Sequence, residues 1–156
     1  SWEEQTKATM SGLALAPSTT PTDGGMLIVP AVRSSDGRQL HVVLQSVPTG
    51  TGRNNVSIFY KELADEADMC NVKALAEGWD GCYQVSTTVS LYSSMDLQAD
   101  GRIAFFYEET LTKWGTKPNP VCTSFPQGEG EHNYDGCELV YKAFDLETIT
   151  GGKYKM

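Results

Sequence analysis

Between Leu91 and Glu109 the chain carries two β-forming runs joined by Asp100-Gly101. A stretch of this kind has few alternatives to a β-hairpin, because Asp-Gly supplies the left-handed residue that a tight turn between twisted strands demands. The first run enters at Tyr92. The second, Ile103 to Tyr107, is apolar and ends in Glu108 and Glu109. Pairing brings Tyr92 and Glu108 to matching ends of neighbouring strands, where their side chains can approach each other across the ladder.

The same rhythm of strand, tight turn, strand and wide loop recurs upstream. Met26 to Val32 and Gln39 to Val47 read as strands about the turn Ser34-Ser35-Asp36-Gly37, and Asn55 to Tyr60 follows the loop Pro48 to Asn54. Val72 to Leu75 and Tyr83 to Val89 are strand-like, separated by Gly78-Trp79-Asp80-Gly81, and Cys137 to Phe144 is a further strand. Shorter strand-like runs are Met10 to Ala16 and Leu111 to Trp114. Glu62 to Asp68 is an acidic patch with weak helical support. Asp145 to Ile149 reads as one helical turn, capped by Asp145 and stopped by Gly151-Gly152. Residues 116–135, rich in Pro, Gly and Glu, form a long irregular loop of the sort that carries function. The expected fold class is therefore all-β, with antiparallel strands and one short C-terminal helical turn.

Twelve basic residues against 20 acidic ones leave a formal charge of −8, a surface that repels phosphate backbones and argues against nucleic acid. No apolar run is long enough to span a bilayer. The chain opens at Ser1 with no signal peptide, as an excised or processed piece would. The cysteines Cys70, Cys82, Cys122 and Cys137 permit three pairings, of which 122–137 with 70–82 is favoured because the first closes the long loop; free buried thiols are the alternative. Their spacing, with His132 alone between Cys122 and Cys137, does not suit zinc, so no metal and no cofactor is expected.

The run Tyr92-Ser93-Ser94-Met95, then Asp100-Gly101-Arg102-Ile103, then Tyr107-Glu108 resembles the segment of sialidases (neuraminidases) that holds their catalytic tyrosine. Gly50 to Ile58 resembles the loop and strand that carry the last arginine of the sialidase triad, and Leu139 to Tyr154 resembles the end of bacterial members. The order Arg, Tyr, Glu, terminal strand is the family's. This resemblance implies a secreted, periplasmic or cell-surface bacterial exo-α-sialidase, and a six-bladed β-propeller of which a 156-residue chain supplies only the last blades. It implies a single β-domain over residues 1–156, with sialylated glycans and the N-terminal part of the same propeller as partners. No Asp-box repeat occurs in the chain.

A tyrosine suits such chemistry because the anomeric carbon of sialic acid bears a carboxylate, which repels an attacking Asp or Glu. A phenol is neutral until a base takes its proton as it attacks, and sialidases depart from the two-carboxylate rule in this way. Tyr92 matches the nucleophile; its plainer reading is an edge-strand tyrosine with a wet hydroxyl. Arg53 matches the third arginine, whose planar fork fits the sugar carboxylate and whose loop the glycines at 50 and 52 would bend inward; the plainer reading is a surface arginine. Glu108 matches the glutamate that orients another triad arginine, or is a strand-end charge, whereas Glu109 on the opposite face is expected in solvent.

The first two arginines, the general acid and the general base have no counterpart: Arg33, Arg38 and Arg102 fit none of those positions, and Asp96 and Asp100 lie too far along the hairpin. The chain alone is expected to be inactive. A glycan-binding β-domain that stacks sugars on exposed Trp79, Trp114 and Tyr134 is the alternative from another class, and a trans-sialidase would use the same residues as the hydrolase.

Overall fold

The computed structural model describes residues 23–49, 53, 55–87, 89–110 and 138–156. The expected strands at 10–16 and 111–114, the loop 116–135, and Cys122 and Cys137 lie outside the described residues. What is described is antiparallel β-structure in two sheets. Strands β1 (Met26–Arg33), β2 (Gln39–Pro48), β3 (Val56–Leu63), β4 (Gly81–Gln84) and β8 (Tyr154–Lys155) form a five-stranded sheet ordered β4-β3-β2-β1-β8. Strands β5 (Val89–Leu97), β6 (Ile103–Thr110) and β7 (Glu138–Phe144) form a three-stranded sheet with β6 in the middle.

Turn chemistry sets the two hairpins. At the β1–β2 turn Gly37 is left-handed (φ 72°), and the Asp36 carboxylate accepts from the Arg38 amide at 3.1 Å. At the β5–β6 turn Gly101 is left-handed (φ 85°), and the Gln98 amide donates to the Arg102 carbonyl at 2.8 Å. These are the places where a side chain at Cβ would strain the backbone. Both sequence-expected hairpins form, with β5 beginning at Val89 rather than Tyr92.

One face of the large sheet and the inner face of the small one share a core. Val29, Val42, Leu44, Val56 and Ile58 meet Ile103, Phe105 and Tyr107, and Leu146 and Ile149 close one side. Full burial of each aliphatic or aromatic side chain contributes about 1.5–3 kcal/mol, so this cluster is the main source of cohesion between the sheets. The other face of the large sheet is also covered: Val43, Phe59, Leu63 and Trp79 form a second cluster with Met69 and Leu75. That is why Val56 to Tyr60 is an unbroken buried run instead of an alternating one.

Three local expectations are corrected. Val72 to Leu75 is not a strand but the start of a short helix, α1 (Val72–Ala76). The Asn71 side chain accepts from the Lys73 and Ala74 amides, and the Lys61 ammonium, reaching from β3, donates to the carbonyls of Ala74 and Glu77. Caps at both ends outweigh the β preference of Val72. Tyr83 to Val89 does not continue as one strand: β4 stops at Gln84, and the Val85 and Ser86 amides turn to the Val56 carbonyl at 2.9 and 3.3 Å. Finally, Cys70 and Cys82 are both free thiols, so no 70–82 disulfide exists; Cys70 is exposed on the 3-10 turn Glu66–Cys70, while Cys82 is half-buried in β4.

The C-terminal helical turn, α2 (Leu146–Thr150), ends at left-handed Gly151 (φ 62°). Asp145 occupies its N-cap position without making a side-chain cap bond. Beyond it, Tyr154 pairs with Arg33, so the chain end adds a short edge strand beside β1.

Candidate functional site

Arg53, in the loop between β2 and β3, meets Tyr92 of β5. The Arg53 Nη1 lies 3.3 Å from the Tyr92 hydroxyl, and the guanidinium carbon sits 5.4 Å from the ring centroid. The hydrogen bond is slightly longer than the usual N–H···O range, so the contact combines a weak bond with a cation over an aromatic face.

Two features of the backbone bring them together. On the Arg53 side, Ser90 of β5 clamps the loop: its amide donates to the Arg53 carbonyl at 2.8 Å, and its hydroxyl accepts from the Val56 amide at 2.8 Å. Asn55 takes the left-handed conformation in between (φ 55°), and its carbonyl accepts from the hydroxyls of Thr49 and Ser57. The glycines expected to bend this loop, Gly50 and Gly52, lie outside the described residues.

On the Tyr92 side, a β-bulge decides the direction of the ring. Ser90 pairs with Glu109 and Ser93 with Tyr107, so the register slips by one residue opposite Glu108. Ser90 faces the interior, and simple alternation would turn Tyr92 inward with it. The extra residue resets the phase. Leu91 stays buried, Ser93 points back to bond the Ser46 hydroxyl at 2.8 Å, and Tyr92 emerges with 42% of its surface exposed. Nothing in the residue pattern announced the bulge. Two successive buried residues before the tyrosine are its only trace.

Glu108 lies on the outward side of β6 with Phe106, the side to which Tyr92 is turned, and pairs with Leu139. Among the described residues no hydrogen bond or ion pair reaches its carboxylate. Glu109 is the correction. It points to the other face of β6, but it is not in solvent: it is half-buried, accepting from the Tyr107 hydroxyl at 2.9 Å and from the Ser86 hydroxyl. Burial first, then the bond to Glu109, raises the Tyr107 phenol well above its ordinary range.

The other charged candidates have structural partners. Arg33 forms a fork with Glu62 and pairs with Asp36 at 2.7 Å; Arg102 pairs with Asp100 at 2.7 Å beside the turn and holds that carboxyl below its usual range. Arg38 donates to the Ala64 carbonyl. Asp96 bonds the neighbouring Leu97 amide. Trp79 is also corrected: it is 3% exposed, packed edge-on against Phe59, and no sugar could stack on it. Trp114 and Tyr134 lie outside the described residues.

The aromatic surface that is exposed lies elsewhere. Phe106 and Tyr141 sit on neighbouring strands with centroids 4.8 Å apart, and Leu139 stands beside them. An open groove lined by Pro30, Leu40, His41, Leu63, Asp65 and Met156 includes neither Arg53 nor Tyr92. Among the described residues no cluster of His, Cys, Asp and Glu could hold a metal ion, and no helix is long and apolar enough to cross a membrane.

Chemically, the pair offers an exposed phenol oxygen within reach of a planar set of N–H donors. Donors of this shape suit a carboxylate, so a carboxylated ligand seated on Arg53 would hold its neighbouring atoms against the phenol. No protein-family model matches the chain, and no curated protein is similar to it.

Proposed function

We propose that the chain is the C-terminal portion of a retaining exo-α-sialidase, with Tyr92 as nucleophile and Arg53 as one of the groups that hold the substrate carboxylate. The observation that carries this reading is the meeting of Arg53, from the β2–β3 loop, and Tyr92, from β5, on an exposed surface. The phenol oxygen attacks the anomeric carbon, a base takes the phenol proton, and the glycosidic oxygen leaves with a proton from a general acid. Water then releases sialic acid from the covalent intermediate and restores the tyrosine. Base, acid and the remaining arginines come from other blades of a six-bladed propeller, whose last blades the two stacked sheets would be. Glu108 would orient one of those arginines. The two antiparallel sheets joined by a common core support such a place.

The test is release of a fluorogenic aglycone from a sialoside by this chain assembled with the polypeptide that precedes it. Tyr92→Phe should lose turnover by several orders of magnitude and keep the wild-type melting profile. Turnover within twofold of wild type removes the assignment.

One observation favours a second reading, a glycan-binding β-domain without catalysis. The exposed ring pair Phe106–Tyr141 offers a surface on which a sugar could stack. Glycan binding that survives Tyr92→Phe but is lost in Phe106→Ala, with no turnover by any assembly, would select it.

A further inference from the structure

We propose that Glu109 is a positioning residue for the Arg53–Tyr92 pair, acting through the connection between β4 and β5. The inference rests on the reading of that pair as the substrate site.

The connection does two jobs at once. Val85 and Ser86 donate their amides to the Val56 carbonyl, and Ser90 bonds both the Arg53 carbonyl and the Val56 amide. The Arg53 carbonyl and both backbone groups of Val56 therefore hang from Val85, Ser86 and Ser90. Two side chains of the small sheet, Glu109 and Lys142, hold that segment from beneath, and Tyr107 touches both of them. Glu109 takes the Ser86 hydroxyl on one oxygen and the Tyr107 hydroxyl on the other, and the Lys142 ammonium donates to the Val85 carbonyl at 3.0 Å while lying 5.3 Å from the Tyr107 ring centroid.

Glu109 is also the cross-strand partner of Ser90, the residue that clamps Arg53, and it sits one residue from the bulge that turns Tyr92 outward. One carboxylate thus faces both halves of the site: the segment that carries the arginine loop and the register that aims the phenol.

A carboxylate that is half-buried against two hydroxyls is an expensive way to fill space, because each lost hydrogen bond leaves a desolvated charge. An apolar residue would pack the same volume but take this acceptor from the buried Ser86 and Tyr107 hydroxyls. What the carboxylate adds is direction: two acceptors on one rigid group fix Ser86 relative to Tyr107, and hence the connection relative to β6.

The experiment uses the full chain, isotopically labelled, and reads the nuclear Overhauser contact between Arg53 side-chain protons and the Tyr92 ring. Glu109→Ala and Ser86→Ala should each weaken that contact at least severalfold, while amide shifts of β1 to β3 stay at their wild-type positions. Glu109→Gln, whose single carbonyl oxygen can accept but whose amide nitrogen cannot, should restore it in part. Wild-type contact intensity in a folded Ser86→Ala or Glu109→Ala chain overturns the proposal; should Glu109→Ala fail to fold, Ser86→Ala decides.

A second arm measures sialoside turnover in the assembled protein, where misplacing the pair should lower kcat/KM by about 100-fold in Ser86→Ala. If wild type releases no sialic acid, the sialidase reading falls, and the magnetic-resonance arm still decides whether Glu109 positions the pair.

Discussion

Tyr92, Tyr107 and Tyr154 share a side chain and little else. Tyr92 is exposed and touches a guanidinium, whereas Tyr107 and Tyr154 are buried and each donates to a carboxylate, Glu109 and Glu62 respectively. Burial and the neighbouring carboxylates push Tyr154 up to about 12, and Tyr107 rises in the same direction. An unfolded tyrosine ionises near pH 10. Below that value both states keep the proton and the stability is intact. Above it the unfolded chain loses protons that the folded one retains, so stability falls as pH rises from about 10 toward 12. Urea midpoints recorded between pH 9 and 12 should decline over that window, and Tyr154→Phe should flatten the decline; a flat wild-type profile contradicts the buried phenols. The two described thiols differ likewise. Cys70 is exposed, whereas Cys82 is half-buried with its thiol pushed up by burial. Brief treatment with iodoacetamide followed by peptide mass mapping should find Cys70 modified well before Cys82.

At the scale of elements, α1 shows how a weak segment is held. Five residues are too few to stand as a free helix. Asn71 satisfies the amides at one end and Lys61, 8% exposed, satisfies the carbonyls at the other. Lys61→Met keeps the stem and removes the donor, leaving two carbonyls without it; the expected loss is about 1–3 kcal/mol, read as a lower urea midpoint. Asn71→Ala should cost about 1 kcal/mol by the same measure. The β5–β6 hairpin was legible from Asp100-Gly101 and the flanking apolar runs, because turn chemistry is local. The bulge within β5 was not, since it depends on which residues of β6 and of the Arg53 loop claim Ser90. For the same reason Glu109 reads as a solvated residue in sequence: its two hydroxyl partners lie on its own strand and on a segment that only the fold brings over it.

For the whole molecule, cohesion depends on the core between the two sheets. Phe105 is fully buried at its centre, against Tyr107 at 5.4 Å and Phe144 at 6.4 Å between ring centroids. Phe105→Ala should destabilise the protein by about 3–5 kcal/mol. Because the same cluster contains Val42 and Ile58 of the large sheet, amide exchange in β2 and β3 should rise together with exchange in β6. Acceleration confined to the small sheet would mean that the sheets open independently.

The division between sequence and fold follows from range. Hydrophobic alternation, turn residues and a left-handed glycine act over a few positions, so β1 to β3, β5 to β7, both hairpins and the C-terminal helical turn could be read directly from the chain, whereas α1, the end of β4 and the edge strand β8 could not. That Arg53 touches Tyr92, that Tyr92 faces outward, that Trp79 is core and that Glu109 is bonded all require residues far apart in sequence to be neighbours. Those were settled by which sheet faces packed and by a single-residue slip in one ladder, because a strand's side chains change sides whenever its register moves by one.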